Sequence, residues 1–494
     1  MRKLVLMASV IGAAACSDDG TVGADTDAPA TASGGVTDGF GSSGAGEVDG
    51  GSEDPSVGDD STGGGSSDSD PTDAGGSTGP GGGSGGDGGS TGGVPPMREG
   101  VYVSIAEGAD SNAGTREEPV RTLGQGIALA VELELGWVYV AAGYYSVNSD
   151  DNAALDLVGG VSMRGGFSAS DWDDWDPATH VARVVDTATM AAGFSQANPH
   201  RAVLVPDGVA GNTTFEGFTV EAAPIANAAA VVLQGDATLR GNILLGSGQA
   251  FSTAAFFEDS GALLLENEID GVASAPGQPA FAVRAVGGAP QVHGNRIRSG
   301  EGTNNRAVLL TDAAGVVSSN VIVAEAGEGG AGRVIEMTGS STAIIGNTSV
   351  LDGAPGGFHV IAAGTAAPAN LDNNNFISLS ETAWCFNGVG GIDAGTVRNN
   401  NLGCSNLYSA GIPYGSIAEL ESALADAADN IAEPSGVTDP LVDGHLEGDG
   451  STLCAVARGG LAFEDDVVLG TDIDAEPRTE PWSIGADEFD GDCL

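Results

Sequence analysis

The sequence predicts an all-β protein folded as a single parallel β-helix, a stack of similar coils that each carry three short strands. Three observations point to this class: a motif that returns about every 26 residues, three strand-like runs within each repeat, and one amphipathic helix at either end of the repeats. No coil of such a stack is stable alone, because its apolar residues are buried by the coils above and below it.

The repeat is recognised from an asparagine that is usually followed two positions later by an apolar residue. The asparagines that set this register are Asn242, Asn267, Asn295, Asn320, Asn347, Asn375 and Asn401, at steps of 25, 28, 25, 27, 28 and 26 residues. Asparagine suits a turn that needs a left-handed residue, and its side chain can bond to stacked neighbours. The stretch "FEGFTV", residues 215–220, predicts an earlier coil of the same kind.

Each repeat holds further strand-like runs, as in "NRAVLLTD", "AGVVSSN" and "VIVAE", so one unit is three strands with their turns. Such a stack exposes strand edges at both ends, which must be covered to prevent aggregation. The helix "RTLGQGIALAVELEL" precedes the repeats and opens with Thr122 and Gln125 as a capping box. A second helix, "GSIAELESALADAA", follows them and opens with Ser416 and Glu419 in the same arrangement.

Two segments outside the repeats carry recognisable motifs. The first is a G-x-D-x-N-x-G-T loop before the first helix, formed here by Gly108, Asp110, Asn112, Gly114 and Thr115. The second is "TDPLVDGHL" with "TDIDAEPRTEPWSIGADEF", which contains a D-P-L-x-x-D stretch and a terminal I-G-A-x-E. The loop and the closing segment resemble those of bacterial right-handed β-helix proteins of the pectate-lyase-like superfamily. With the repeats, the resemblance covers roughly residues 100–489 and implies a right-handed β-helix. It implies little about activity, because the group mixes polysaccharide lyases, epimerases and exported proteins of other kinds.

The first 96 residues predict export and a tether. "MRKLVLMASVIGAAAC" resembles a bacterial lipoprotein signal, with residues 1–15 as signal peptide and Cys16 as the lipidated N-terminus, although Ala13 stands where such signals usually carry a larger aliphatic residue. An ordinary secretory signal would be cut at the same bond, since Ala13 and Ala15 satisfy the A-x-A rule. Residues 16–96 are rich in Gly, Ser, Thr and Asp and cannot bury enough apolar surface to fold, which predicts a disordered linker.

We therefore expect a β-helix domain at 97–494, with a C-terminal capping segment from about residue 410. The predicted location is the outer membrane, facing outward, with secretion as the alternative. The chain has 68 acidic and 17 basic residues and a formal charge of −51, so nucleic acid and anionic membrane surfaces are poor partners. Membrane contact is expected through the lipid anchor alone, and the protein is expected to be a monomer.

Four cysteines remain after Cys16, an even number that predicts two disulfides in an exported chain. They are Cys385, Cys404, Cys454 and Cys493. Three connectivities are open, and sequence proximity favours Cys385 with Cys404 and Cys454 with Cys493. No C-x-x-C spacing supports a zinc or redox role.

The stretch "QVHGNRIRSG", residues 291–300, concentrates positive charge in a chain that has little of it. If the asparagines align adjacent coils, Glu268 lies opposite Arg296 and Asp270 lies opposite Arg298, with the residues between them pointing inward. Opposite charges directly opposed on a sheet contribute roughly 0.2–1 kcal/mol each. The cluster therefore has a sufficient structural explanation.

A functional interpretation of the same cluster is a polysaccharide lyase, which needs a base and a cation to neutralise a uronate carboxylate. The resemblance implies that an arginine acts as base, which makes Arg296, Arg298 and His293 the catalytic candidates. Glu268 and Asp270 are the candidates for ligand binding and would suit calcium. No second aspartate cluster stands at matching register, so no metal or other cofactor is predicted.

Trp172 and Trp175 of the stretch "SDWDDWD" are further candidates for ligand binding, because an indole can stack on a sugar ring. Exported loops also use tryptophan to close over a core, and that interpretation is favoured here. Paired carboxylates of the kind that hydrolyse glycosides need two acids about 5–9.5 Å apart, and 68 acids offer many chance pairs.

The function predicted from the sequence is non-catalytic binding of carbohydrate or cell-envelope components by an exported, surface-tethered protein. The alternatives are a polysaccharide lyase or related carbohydrate-active enzyme, and a structural surface spacer. An enzyme predicts a groove in which Arg, Asp and Glu from successive coils converge. A binder or spacer predicts charges that are paired along the sheets.

Overall fold

The computed structural model describes residues 97–433, apart from short gaps at 152–153, 191–193, 273–277, 328–329, 354–355, 364–367, 380–381, 389–395, 410–411 and 425, together with Val456, Asp472 and 483–486. These residues form a right-handed parallel β-helix of about ten coils, as predicted. A complete coil contributes one strand to each of three long sheets, and strands of adjacent coils pair in parallel. Cys16 and the predicted signal and linker lie outside the described residues.

The strands follow the order sheet 1, sheet 2, sheet 3 along each coil. Sheet 1 has twelve strands: Val101–Val103, Trp137–Ala141, Ser162–Phe167, Thr214–Glu216, Thr238–Arg240, Leu263–Leu265, Gln291–His293, Val316–Ser318, Ala343–Ile345, Asn370–Asp372, Thr396–Arg398 and Ala427–Ala428. Sheet 2 has ten: Gly143–Val147, Ala182–Asp186, Phe218–Glu221, Ile243–Leu245, Glu268–Asp270, Arg296–Arg298, Val321–Glu325, Thr348–Asp352, Asn375–Ser378 and Asn401–Gly403. Sheet 3 has nine: Leu155–Asp156, His200–Val205, Ala228–Leu233, Ser252–Glu258, Ala280–Val286, Arg306–Thr311, Arg333–Thr338, Phe358–Ala363 and Trp384–Gly388.

The core is a set of apolar columns inside the coils. In sheet 2, for example, Leu244, Ile269, Ile297 and Ile322 stack on one another and are fully buried. The residues on either side of them in each strand face outward, as the two-residue period of a strand requires. The predicted coil at "FEGFTV" is confirmed, with strands Thr214–Glu216 and Phe218–Glu221.

An asparagine ladder connects the tight turns between sheet 1 and sheet 2. From Asn267 onward, the Oδ1 atom of each asparagine accepts hydrogen bonds of 2.8–3.1 Å from the backbone N–H and the Nδ2–H of the asparagine one coil earlier. The ladder consists of Asn242, Asn267, Asn295, Asn320, Asn347, Asn374, Asn400 and Asn430. The backbone and side-chain donors of buried turns are thereby satisfied without water.

Two details of the predicted register are wrong. Asn375 and Asn401 are the first residues of sheet 2 strands, and the ladder passes through the asparagine before each of them. The left-handed residue of the turn is also the one before the ladder asparagine. These residues, with φ between 52° and 63°, are Gly241, Glu266, Gly294, Ser319, Gly346, Asn373, Asn399 and Asp429.

The first helix, α1 (Leu123–Glu132), covers the start of sheet 1 and buries Leu123, Ile127 and Ala130. Its N-cap is Thr122, whose hydroxyl accepts from Gln125 N at 3.3 Å, which confirms the predicted N-cap but only half of the predicted capping box. The Thr122 N–H donates to the Oδ1 atom of Asp110 at 2.9 Å. The loop motif therefore completes the cap of this helix.

The second helix, α2 (Ile417–Ala423), has the predicted N-cap Ser416, whose hydroxyl accepts from Glu419 N at 3.2 Å. A hairpin, Leu407–Ser409 with Ile412–Tyr414, precedes it, and a 3₁₀ turn spans Ser149–Asp151. The predicted disulfide Cys385–Cys404 is present, whereas Cys454 and Cys493 lie outside the described residues.

Part of the predicted closing segment packs on the outside of the stack. Ala486 N donates to the Thr348 hydroxyl at 3.0 Å, and Gly485 N donates to the Asn373 carbonyl at 2.7 Å. Ala486 also covers outward-facing Val350 of sheet 2, which is fully buried. Across the described part of the chain, no helix is both long and apolar enough to cross a membrane.

Candidate functional site

The charged cluster predicted from the sequence lies on the outward face of sheet 2. Glu268 pairs with Arg296 and Asp270 pairs with Arg298 in the register of the two strands, as the asparagines predict. The guanidinium of Arg298, however, forms its ion pair with Glu325 of the following coil. Arg298 is therefore held between two coils by opposite charge.

Ionisation at this cluster follows from those contacts. The hydrogen bond from Arg298 to Glu325 raises the pKa of Arg298, which keeps the guanidinium protonated. Burial raises the pKa of Asp270, and the nearby charge of Arg298 offsets this only in part. A cation that is bonded to a carboxylate and has a raised pKa is poorly suited to remove a proton from a substrate.

His293 does not join the two arginines. It ends a strand of sheet 1, is 3% exposed, and places Nδ1 3.1 Å from the Ser318 hydroxyl. The tight turn through Gly294 and Asn295 separates it from the strand that carries Arg296. The predicted catalytic set is therefore divided between two sheets.

The two tryptophans of the "SDWDDWD" loop pack over the first coils of sheet 1. Trp172 is 6% exposed and meets Tyr102 edge to face, with ring centroids 4.9 Å apart. Trp175 donates from Nε1 to the Gly165 carbonyl at 2.7 Å, and the guanidinium of Arg164 lies over its ring. Burial leaves Trp172 without a face for a sugar ring.

A second set of charged and aromatic residues, which the sequence analysis did not single out, lies on the outward face of sheet 3. We call this set the sheet-3 strip: Phe281, Arg284, Arg306, Arg333, Phe358 and Trp384. Five of them, all except Arg284, occupy the same strand position in five successive coils and form one column. With about 4.8 Å between parallel strands, the column is about 19 Å long.

The strip holds its arginines by packing and by a shared carboxylate. The Arg306 and Arg333 guanidiniums both bond to Glu336, the latter at 2.7 Å, and their side chains are 17% and 28% exposed. Burial disfavours the ionised form of Glu336, but the bonds to the two arginines outweigh it and lower its pKa. One carboxylate thus neutralises one of two adjacent cations, and a net positive charge remains.

Arg284 lies at the end of the strip without a carboxylate. Its guanidinium is 5.0 Å from the ring centre of Phe256 and 5.8 Å from that of Phe281, and Nη1 donates to the Gln196 carbonyl at 2.8 Å. Burial lowers the pKa of Arg284. Among the described residues, the Nε atoms of Arg284 and Arg333 have no hydrogen-bond acceptor although both are buried.

Two aromatic rings complete the other end of the strip. Phe358 and Trp384 stack with centroids 6.2 Å apart and an interplanar angle of 25°. Both side chains are partly exposed, so the rings contribute a flat apolar surface next to Arg333. The strip therefore offers stacking surface and positively charged donors along one line, which suits an extended anionic chain.

Elsewhere on the stack, oppositely charged side chains are paired along the sheets. Arg240 bonds to Glu266 at 2.8 Å, and Arg183 bonds to Glu221 one coil away. Within the described ranges, no three His, Cys, Asp or Glu side chains are arranged to hold a metal ion.

Comparison with known proteins assigns no family to this chain. No family model matches this sequence, and no curated protein matches it. Among solved structures, the crystal structure of the Dettilon tailspike protein is similar with a TM-score of 0.31 and 12% identity, over 67% of this chain and 69% of that one. A likeness of this degree carries no argument about function.

Proposed function

We propose that this protein is an exported, surface-tethered binder of extended anionic glycans, and that the sheet-3 strip is its binding surface. The observation that carries the proposal is the column of Phe281, Arg306, Arg333, Phe358 and Trp384, with Arg284 beside it. Guanidiniums bind carboxylates and sulfates as forked donors, and the partly exposed rings of Phe358 and Trp384 can take the apolar faces of sugars. Phe281 is 3% exposed and packs beneath Arg284 and Arg306. In the proposed arrangement, Cys16 carries the lipid and residues 17–96 carry the head away from the membrane.

Charge supports this ligand class. The chain as a whole has a formal charge of −51, so a general attraction to anions is absent, and an anionic glycan must be bound by a local site. Within the described part of the strip, Arg306 and Arg333 share the carboxylate of Glu336, and Arg284 is bonded to none. The Arg333 side chain is 28% exposed while its Nε atom is buried, so a ligand carboxylate would bond to the terminal Nη groups.

The test is calorimetric titration of the full chain with polygalacturonate and, in parallel, with dextran. We expect binding of the acidic polymer that weakens as salt is added, and none of the neutral polymer. Arg333→Gln should lower the affinity about tenfold, because one charged hydrogen-bond donor is lost. The matched control is Arg240→Gln, which removes an arginine of sheet 1 that is paired to Glu266.

Equal affinities for Arg333→Gln and Arg240→Gln would remove the strip from the proposal. Binding of dextran with the same affinity as polygalacturonate would remove the anionic ligand class.

One observation favours a second candidate function, a polysaccharide lyase that works from the same strip. Burial lowers the pKa of Arg284, and no carboxylate is bonded to its guanidinium among the described residues. An arginine in that state is closer to serving as a base than the ion-paired Arg298. In this alternative, Arg306 and Arg333 would neutralise the uronate carboxylate.

A further inference from the structure

A cavity of about 650 Å³ lies at the opposite end of the stack from the aromatic end of the strip, against the outward face of sheet 1. It is formed by the start of the described chain, the turn after α1 and the turns that lead into the first strands of sheet 1. The residues that matter for its chemistry are Arg98, Glu99, Glu134, Trp137 and Asn212. Its volume falls in the range of sites that enclose a small molecule.

Trp137 gives the cavity a fixed and partly exposed aromatic wall. Arg164 and Arg98 lie over its ring at 5.0 and 5.9 Å from the centroid, and the Tyr139 ring is nearly parallel to it at 6.0 Å. Arg164 is itself buried and paired with Glu216. The indole is therefore held in place before any ligand arrives, which lowers the entropy cost of binding.

Glu134 reaches the cavity from a strained backbone position. It follows α1 with φ of 56°, and the bonds Leu135 N to Ala130 O (2.8 Å) and Glu134 N to Val131 O (3.2 Å) close the helix in the Schellman pattern. Glycine is the usual residue at this left-handed site. Glu134 therefore occupies a backbone position that is unfavourable for its residue type, and strained positions of this kind cluster at ligand-binding sites.

The polar side chains of the cavity are free to bind. Within the described part of the chain, the carboxylates of Glu99 and Glu134 and the amide of Asn212 have no hydrogen-bond or ion-pair partner. Two carboxylates against the single Arg98 disfavour an anion, whereas sugar hydroxyls can donate to carboxylates and the amide oxygen. The part of the Trp137 indole that Arg98 and Arg164 leave exposed can contact the C–H groups of a sugar ring.

We propose that this cavity binds a short, neutral saccharide, and that it is a second site with the opposite charge preference to the sheet-3 strip. The two sites share no residue and lie on different sheets. The proposal therefore stands whether or not the strip binds an anionic glycan. A protein with both sites would bind an acidic polymer and a neutral saccharide at the same time.

The test is titration of the full chain with cellopentaose, followed by calorimetry and tryptophan fluorescence, with trigalacturonate and putrescine as anionic and cationic probes. We expect binding of cellopentaose alone among these at the cavity. Trp137→Ala should lower this affinity about tenfold or more, as loss of an aromatic anchor does. Glu134→Gly should also lower it, while raising the melting temperature because glycine accepts the left-handed backbone.

Glu132→Gln, an exposed residue of α1 outside the cavity, is the matched control and should bind as the wild type does. The Glu134→Gly variant keeps the test decisive if Trp137→Ala fails to fold. Absence of cellopentaose binding, or unchanged affinity in Glu134→Gly, overturns the proposal. Putrescine binding that is lost in Glu134→Gly would show a cation site instead and would overturn it as well.

Discussion

Among single residues, His359 shows how a polar side chain is accommodated in the centre of this stack. It is fully buried in the core, its Nδ1 lies 2.6 Å from the Ser349 hydroxyl, and its Nε2 lies 2.9 Å from that of Ser378. The ring stacks on Phe376 with centroids 5.1 Å apart. Burial without a nearby carboxylate lowers the pKa of His359 to about 3, so the imidazole is neutral at physiological pH.

This shift predicts acid sensitivity. Between about pH 6.5 and 3 the unfolded chain binds a proton at His359 that the folded chain excludes, so the free energy of unfolding falls as pH falls, by about 1.4 kcal/mol per pH unit. His359→Gln keeps side-chain hydrogen bonding to the serines but does not titrate. Urea unfolding of both proteins at pH 4, 5, 6 and 7 should show a shallower pH dependence for the variant. Parallel curves would contradict the account.

Among structural elements, the asparagine ladder is the feature on which the coil stacking most depends. Asn320 alone takes part in four buried bonds: Oδ1 accepts from the backbone N and Nδ2 of Asn295, and Nδ2 donates to Val292 O and Asn347 Oδ1. Removing the amide leaves several of these groups without a partner in a dry turn. Each buried polar group left unpaired costs about 1–3 kcal/mol.

Asn320→Ala should therefore lower the free energy of unfolding by about 3 kcal/mol or more, because at least two buried groups lose their partner. Asn304→Ala is the control, since Asn304 is exposed and lies outside the ladder, and its effect should stay within about 0.5 kcal/mol. Chemical unfolding followed by circular dichroism measures both. A loss for Asn320→Ala no larger than that of the control would mean that stacking of the apolar columns alone holds the coils.

The ladder also shows where sequence reasoning reaches its limit. The spacing of the asparagines correctly predicted the coil length and the pairing of Glu268 with Arg296 in adjacent strands. It failed at residues 373–375 and 399–401, where three consecutive asparagines fit the pattern equally well. The backbone decides among them: the first asparagine of each run is left-handed, and the second enters the ladder.

For the whole molecule, the fold was predictable because every coil repeats the same pattern, whereas the binding surface was not. The sheet-3 strip depends on Phe281, Arg306, Arg333, Phe358 and Trp384, which are spaced by 25, 27, 25 and 26 residues, and no single residue type occupies all five positions. These residues fall in one column only when the repeats are aligned on their third strand-like run instead of on the asparagines. The contact of Arg298 with Glu325 was missed because it joins different strand positions in adjacent coils.

The most direct test of the central claim, that the strip binds an anionic glycan without turnover, uses one sample for two readings. The full chain is incubated with immobilised polygalacturonate, with and without calcium, and both retention and the ultraviolet absorbance of unsaturated products are followed. We predict that the wild-type protein is retained without a rise in absorbance. Retention should be lost in the double variant Arg306→Gln/Arg333→Gln and kept in the double variant Arg296→Gln/Arg298→Gln. A rise in absorbance that Arg284→Ala abolishes, or retention that depends on Arg296 and Arg298 instead, would contradict the account.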